Sequence, residues 1–349
     1  MSKDTFNEAN YEQAIIELFT QQLGYEYIYG PDIVRDYTEP LFLDRLQQSL
    51  LAINPALPAV AIQEAIDKIR QIDTGSLVQH NEVFTDYLQN GVDVSYFDGE
   101  EQHSACVRLI DYDHPLHNNF VVANQWSIEE HSVRRADIIV FINGLPLVVM
   151  ELKSPSRTET NVSEAYAQLR NYMQEIPSLF VYNAFCVMSD LVTSKAGTIT
   201  SGEDRFMEWK TVDGQTEDNH FANFHVLFCG MFEQERLIEI LRDFICFSKE
   251  EKQSAKILAG YHQFYAVRKA ITSVKEATTT NGKGGVFWHT QGSGKSLSMV
   301  FFAKCLQRAL SSPTIVVITD RTDLDNQLFG QFSKCADFLR QVPVQAKSR

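Results

Sequence analysis

The sequence predicts an α/β protein in two parts: a mixed β-sheet flanked by helices, then the opening of a P-loop lobe. Two observations carry this reading. Up to residue 189 the text runs helix, strands, helix, strand. Residues 286–319 then read strand, glycine-rich loop, helix, strand, which is how a parallel P-loop sheet begins.

The first helix is written in "EANYEQAIIELFTQQL", residues 8–23. Tyr11, Ala14, Ile15, Leu18, Phe19 and Leu23 recur there at helical spacing, and Gly24 offers a stop. Residues 38–71 predict two further amphipathic helices separated by "NPALP". Strand-like text starts near Leu109 and runs through "NNFVVANQWSI" and "RADIIVFINGLPLVVMELKSP". "NVSEAYAQLRNYMQEIP" predicts a helix, with Asn161 or Ser163 as N-cap and Pro177 as its stop. "LFVYNAFCVMS" returns to strand. From Phe232 to Ser273 the pattern is helical, and "EATTTNGKGG" makes a turn. Strand "VFWHT", a helix from Lys295 to about Leu310 and strand "TIVVITD" follow.

The chain has 349 residues, more than one typical domain. The expected division is 1–230 for the sheet domain, 231–275 for a helical connection and 276–349 for an incomplete P-loop lobe. Its 44% hydrophobic and 22% charged residues are ordinary for a soluble globular protein. No apolar run nears the ~20 residues needed to span a bilayer. The N-terminus, "MSKDTFNEANYEQ", is polar and acidic, unlike a signal peptide. Six cysteines without a C-x-x-C pair argue against a disulfide framework or a zinc site, and suit a reducing cytoplasm. The net charge of −14 counts against wholesale nucleic-acid binding by this chain alone. Local basic groups or a partner would have to supply the grip.

The hairpin "RADIIVFINGLPLVVMELKSP" carries Asp137, Glu151 and Lys153 inside apolar strands. Such charges are costly unless paired or bound to metal. Glu151 and Lys153, two apart, face one side. A two-residue Asn143-Gly144 turn would set Asp137 opposite Met150, on the other face from Glu151. A three-residue loop pairs Asp137 with Val149 and brings the carboxylates together, so a loop of that kind or a bulge is expected. Two carboxylates and a lysine suit metal-assisted phosphodiester hydrolysis. Asp137 and Glu151 would hold Mg2+, Glu12 could add a third acid, and Lys153 would orient water or offset transition-state charge. A strand-end salt bridge is the bland alternative. Gln168 and Tyr172, four apart on the following helix, share one helical face. This combination resembles the PD-(D/E)xK nucleases with a Q-x-x-x-Y helix, although Ala136 replaces the motif's proline. The resemblance implies that Gln168 and Tyr172 help place DNA near the metal.

"HTQGSGKS", residues 289–296, has His289 where a strict Walker pattern has glycine. Thr290, Gln291, Gly292, Ser293 and Gly294 would cradle ATP phosphates, Lys295 would reach the β/γ-phosphates, and Ser296 would bind Mg2+. Gln263 has the amide that could read adenine. Asp320, Arg321 and Gln327 could meet a nucleic-acid backbone.

In order, these motifs resemble the N-terminal part of the restriction (R) subunit of type I restriction–modification enzymes. "AGTITSGEDRFMEWKT", "GYHQFYAV" and "VVITDRTDLDNQL" join them in the resemblance. It implies a nuclease fused to a superfamily 2 helicase-type motor of two RecA-like lobes that translocates double-stranded DNA with ATP. Specificity and modification (methyltransferase) subunits would be the partners. After Lys295 there is no glutamate, the last being Glu276, so the acidic pair an ATPase needs is missing. The expectation is a piece that ends within the first lobe. A P-loop translocase or remodeller whose nuclease-like domain only binds DNA or a partner is the competing reading. A small-molecule P-loop kinase is a weaker third.

Overall fold

A computed structural model describes residues 8–72, 75–153, 162–218, 224–249, 251 and 254–346. They form two compact units, 1–242 and 243–349, so the stretch 231–275 is divided between them.

In the first unit, α1 (Glu8–Glu17) continues as a wider π turn through Gln22, and Gly24 turns the chain at φ 73°. Phe19 in that turn meets the rings of Tyr25, Phe228 and Phe232 edge-on, at 4.9, 6.0 and 5.2 Å. Strand β1 (Glu26–Tyr29) follows, then α2 (Leu43–Ile53) and α3 (Ala59–Arg70), the expected pair on either side of "NPALP". Helix α4 (Leu77–Asn90) and the hairpin β2 (Val92–Phe97) and β3 (Gln102–Val107) had no counterpart in the sequence reading. Ser76 caps α4 in a reciprocal capping box with Gln79.

The main sheet adds β4 (Phe120–Glu129), β5 (Val133–Ile142), β6 (Leu145–Leu152), β7 (Phe185–Ser189), β8 (Ser194–Gly197) and β9 (Met207–Glu208). Its order is β1-β4-β5-β6-β7-β8-β9. The β1–β4 and β6–β7 pairs are parallel and the rest antiparallel. The mixed sheet is as expected. All eight residues of β6 are buried, which fits a central strand covered on both faces.

Helix α5 (Val162–Glu175) lays Ala165, Leu169 and Tyr172 on a core that includes Ile139, Phe141 and Val149. Asn161 lies outside the described residues. Ser163 sits inside the helix and bonds Glu203 instead of capping. Pro177 ends α5 and opens the short α6 (Pro177–Val181). Helices α7 (His225–Phe232) and α8 (Gln234–Asp243) follow.

The β5–β6 turn corrects one expectation. It has two residues, with Asn143 and Gly144 at φ 52° and 82°, and Ile142 pairs with Leu145. The ladder then shifts by one between Phe141–Pro146 and Val140–Val148. Val149 therefore pairs with Ile139, not with Asp137. Pro146 explains the slip. It has no N–H to give to an interior ladder, so Leu147 is left over as a bulge.

The second unit starts with a hairpin, β10 (Ile245–Ser248) and β11 (Ala255–Leu258), inside a stretch read as helical. "ICFS" and "AKIL" hold enough β-branched and aromatic residues to prefer strand once paired. Helices α9 (Tyr261–Thr278), α10 (Lys295–Ala309), α11 (Thr322–Lys334) and α12 (Ala336–Leu339) complete the unit. Phe244 packs on Phe264 and Phe301 at 4.7 and 5.7 Å. The expected strands at 286–290 and 314–319 are not paired. Val286, Trp288, Val316 and Ile318 are exposed there, so these segments have the apolar text of a buried sheet without its ladder.

Gly144 bears directly on the bulge. A Cβ there would stand 2.5 Å from the Leu46 nitrogen and 2.6 Å from the Phe42 carbonyl oxygen, at a φ that L-residues avoid. Gly144→Ala is expected to destabilise the first unit by more than about 2 kcal/mol in a denaturant titration. An unchanged midpoint would contradict this account of the turn.

Candidate functional site

The bulge settles how the hairpin's charges meet. One step beyond the last β5–β6 pair, Ile138–Met150, Asp137 stands across from Glu151. The Leu152 N–H donates to Asp137 Oδ2 at 2.8 Å. Lys153 Nζ donates to Glu151 Oε1 at 2.6 Å and to Gln168 Oε1 at 3.0 Å. Gln168 Nε2 donates to the Tyr172 hydroxyl at 2.6 Å, and that hydroxyl donates to the Arg135 carbonyl at 3.2 Å. The structure thus joins Glu151, Lys153, Gln168 and Tyr172 in one hydrogen-bonded network, with Asp137 beside it on the Leu152 N–H and coupled to Glu151 and Lys153 by charge.

Glu12 reaches the same place by another route. Its carboxylate accepts from Asn124 Nδ2 at 2.5 Å and Gln125 Nε2 at 2.8 Å. Gln125 lies opposite Asp137 in the β4–β5 register, between the pairs Asn124–Ile138 and Trp126–Ala136. It does not pair, because its φ is 54°, a left-handed conformation that costs a non-glycine residue about 1 kcal/mol or more. Strand alternation breaks at the same level. Ala123 and Trp126 on β4, and Ala136 and Ile139 on β5, all enter one core, though each pair is three apart. Asn124 and Gln125 were not singled out in the sequence. The available signal was a polar pair inside the apolar run "VVANQWSI".

Burial sets the electrostatics. Glu151 is 1% exposed, and its carboxyl is pushed up to about 8 by burial and then by the charge of Asp137, with Lys153 opposing. Burial pushes Asp137 up to about 6, against the Leu152 N–H and Lys153, which favour its charge. Tyr172 is also raised, by burial and then by Glu151. Glu151 Oε2 is buried without a hydrogen-bond partner among the described residues. Beside the site lies a cleft of about 710 Å³, lined by Gln125, Arg134, Arg135, Asp137, Gln168 and Tyr172 among others. Arg134 is paired with Glu175. Arg135 is exposed and has no ion-pair partner among the described residues.

These residues fit a hard divalent cation. Oxygen donors from Asp137 and Glu151 adjoin one another, and an orphaned buried carboxylate oxygen is the kind of atom a cation satisfies.

In the second unit, Gly292 and Gly294 have φ 83° and 77°, and the loop from Thr290 through Gln291 and Ser293 turns into α10 at Lys295 and Ser296. Lys295 Nζ donates to the His289 and Thr290 carbonyls at 3.0 and 2.9 Å. Gln263 is buried. Its Oε1 accepts from the Gly260 N–H at 3.0 Å, and its Nε2 donates to the Gly294 carbonyl at 3.1 Å. It braces the start of α9 against the glycine-rich loop, a contact that sequence spacing did not suggest. Asp320 and Arg321 are exposed at the head of α11, which contains Gln327.

A family model for the type I restriction enzyme R protein N terminus matches residues 5–205, and one for the SWI2/SNF2 ATPase matches 262–349. The chain is 39% identical to the type I restriction enzyme HindI endonuclease subunit of Haemophilus influenzae, over 98% of this chain and 34% of that protein. It is 33% identical, over 90% of this chain and 33% of the relative, to a Methanocaldococcus jannaschii protein provisionally described as the type I restriction enzyme MjaIXP endonuclease subunit. The chain therefore spans about a third of the length of these relatives. No helix among the described residues is long and apolar enough to cross a membrane.

The carboxylate shifts give a signed prediction for the metal-free protein. Both are upward, from 3.8 to about 6 and from 4.5 to about 8. The folded chain then holds protons that the unfolded chain has released, so stability falls as pH rises through that window. Denaturation midpoints in chelator are expected to fall between about pH 4 and pH 8, and Glu151→Gln is expected to flatten the fall, most of all above pH 6. The same slope in both proteins would contradict the assignment.

Proposed function

The chain belongs to the R-protein family of type I restriction enzymes, and from that premise we propose that residues 1–230 are a Mg2+-dependent DNA endonuclease domain of PD-(D/E)xK type. In this reading 231–275 connects it to an incomplete first RecA-like lobe, 276–349, of an ATP-dependent duplex-DNA translocase. The whole would act as the DNA-cleaving subunit of a complex with modification and specificity subunits. The observation that carries the reading is the pair of half-buried Asp137 and buried Glu151, with one carboxylate oxygen, Glu151 Oε2, unpartnered among the described residues.

Asp137 and Glu151 would hold the cation, with Glu12 close enough to raise the Asp137 carboxyl further. Bound there, Mg2+ supplies Lewis-acid polarisation of a phosphodiester oxygen and makes hydroxide accessible near neutral pH. Lys153 is the cation that the chain itself brings to the pair. Its ammonium bridges Glu151 and Gln168, and on that line it can orient the attacking water and offset charge on the phosphorane-like transition state. Gln168 and Tyr172 fix the position of Lys153 and border the cleft where the DNA backbone would lie. Arg135, on the rim of that cleft, can meet a phosphate without first leaving a carboxylate.

For ATP, the backbone N–H groups of 290–294 would receive the phosphates. Lys295 would exchange its two carbonyl partners for phosphate oxygens, and Ser296 would bind Mg2+. Gln263 uses one acceptor site on the Gly260 N–H and one donor hydrogen on the Gly294 carbonyl, so an adenine it read would be met by an amide already tied to both. Base binding would then be coupled to the phosphate loop.

The test uses the full-length subunit in its assembled complex. Asp137→Ala, Glu151→Ala and Lys153→Ala are each expected to abolish double-strand cleavage while ATP hydrolysis is largely retained. Lys295→Ala is expected to abolish ATP hydrolysis and cleavage together. Normal cleavage by all three hairpin variants would remove the nuclease assignment and leave the domain as a DNA- or partner-binding module. ATP turnover by the Lys295 variant would remove the phosphate-loop assignment.

A further inference from the structure

We propose that Asp111, His114 and His117 form a second metal site, for Zn2+ or an ion of similar preference, on the loop between β3 and β4. It is separate from the carboxylate pair. Six residue steps of extended chain separate Asp137 from Asn143, in the turn that abuts this loop, about 20 Å.

The donor set fits a borderline divalent ion, with two imidazole nitrogens and one carboxylate oxygen. Asp111 Oδ2 lies 3.5 Å from His114 Nδ1 and 3.4 Å from His117 Nδ1. These separations are long for hydrogen bonds between such groups. They match the edge of a tetrahedron around an ion with ligands at ~2.0–2.1 Å, which is about 3.4 Å. One donor atom from each of the three residues falls within a 4.8 Å group. The rings of His114 and His117 are stacked at 4.9 Å with 18° between their planes. Side by side in this way, both rings can present a nitrogen to one ion.

The loop is built to hold this geometry. Asp111 Oδ1 accepts the N–H groups of Asp113 and His114, at 3.1 and 3.0 Å, which leaves Oδ2 for the imidazoles. Buried Asn118 accepts from the Asp111 N–H and donates to the Asp111 and Pro115 carbonyls, each at 2.8 Å. Buried Asn143 donates to Asn118 Oδ1 at 2.7 Å. The carboxylate that fixes the site is thus held by supporting hydrogen bonds, as metal ligands commonly are. Asp113 is engaged by Arg108 at 3.0 Å and does not join the set. The imidazoles are about two-thirds exposed, at 67% and 66%, and the Asp111 side chain 10%. Three protein ligands with an exposed side leave the fourth position to water or to another molecule's donor.

The test is titration of the chelator-treated 349-residue chain with Zn2+ alone, and with Co2+ alone for its visible spectrum. One Zn2+ per chain is expected at this site. His114→Ala and His117→Ala should each weaken it by about tenfold or more, while circular dichroism stays unchanged. Asp111→Asn should weaken it too, but Asp111 also supports the loop, so the two exposed histidines carry the decision. Bound Co2+ should show tetrahedral d–d bands without a thiolate charge-transfer band, which separates this site from the cysteines. Asp137→Asn should leave the Zn2+ affinity unchanged, so failure here is distinct from failure of the nuclease reading. Zn2+ affinity unaltered in both histidine variants, a thiolate band, or loss of the site in Asp137→Asn would each overturn the proposal.

Discussion

Two carboxylates cannot be taken out of water side by side without compensation, and the first unit is arranged around that constraint. Glu151 sits on β6, which is buried along its whole length. Asp137 is brought across from it by a one-residue bulge. The chain itself provides one ammonium, from Lys153, and one backbone N–H, from Leu152. That leaves one oxygen of Glu151 unpartnered among the described residues and both carboxyls raised. A purely structural salt bridge would gain from satisfying that oxygen, or from replacing the pair with apolar residues of similar volume. Tolerating the cost fits a site whose compensation comes from a bound cation.

The rest of the unit reads as support for this pair. Gln125 accepts a left-handed backbone and its side chain clamps Glu12, so strain on β4 buys the approach of a third acid. Gly30 lets the chain after β1 press against the same place, where a Cβ would stand 2.8 Å from the Asn124 and Gln125 carbonyl oxygens. Helix α5 covers the site with Gln168 and Tyr172 and buries Leu169 between them in the core. Apolar packing thereby fixes a polar network, the usual way a reactive group is held to one geometry.

Much of this was legible. The period-2 runs of β4 to β6 and the helical stripe of α5 are strong local signals, and the spacing of Glu151 with Lys153 and of Gln168 with Tyr172 puts each pair on one face. The mechanism of convergence was read less well. Asn143-Gly144 did mark a two-residue turn, and the odd residue came from Leu147 beside Pro146, a proline that no interior ladder accepts without irregularity. Gln125 was illegible for a different reason: its conformation is imposed by tertiary packing, not by its residue type. In the second unit, "VFWHT" and "TIVVITD" carry the composition of buried strands, but pairing is a property of neighbours that composition does not supply. The hairpin at 245–258 fails the opposite way, since short apolar runs read equally as helix or strand.

The most direct measurement is anomalous scattering from crystals of this chain soaked in Mn2+, a hard divalent ion that stands in for Mg2+. The account predicts a strong peak in the first unit between the Asp137 carboxylate and Glu151 Oε2, with Lys153 still adjacent. Saturating Mn2+ with no peak there, and the Glu151 oxygen still without a partner, would contradict it.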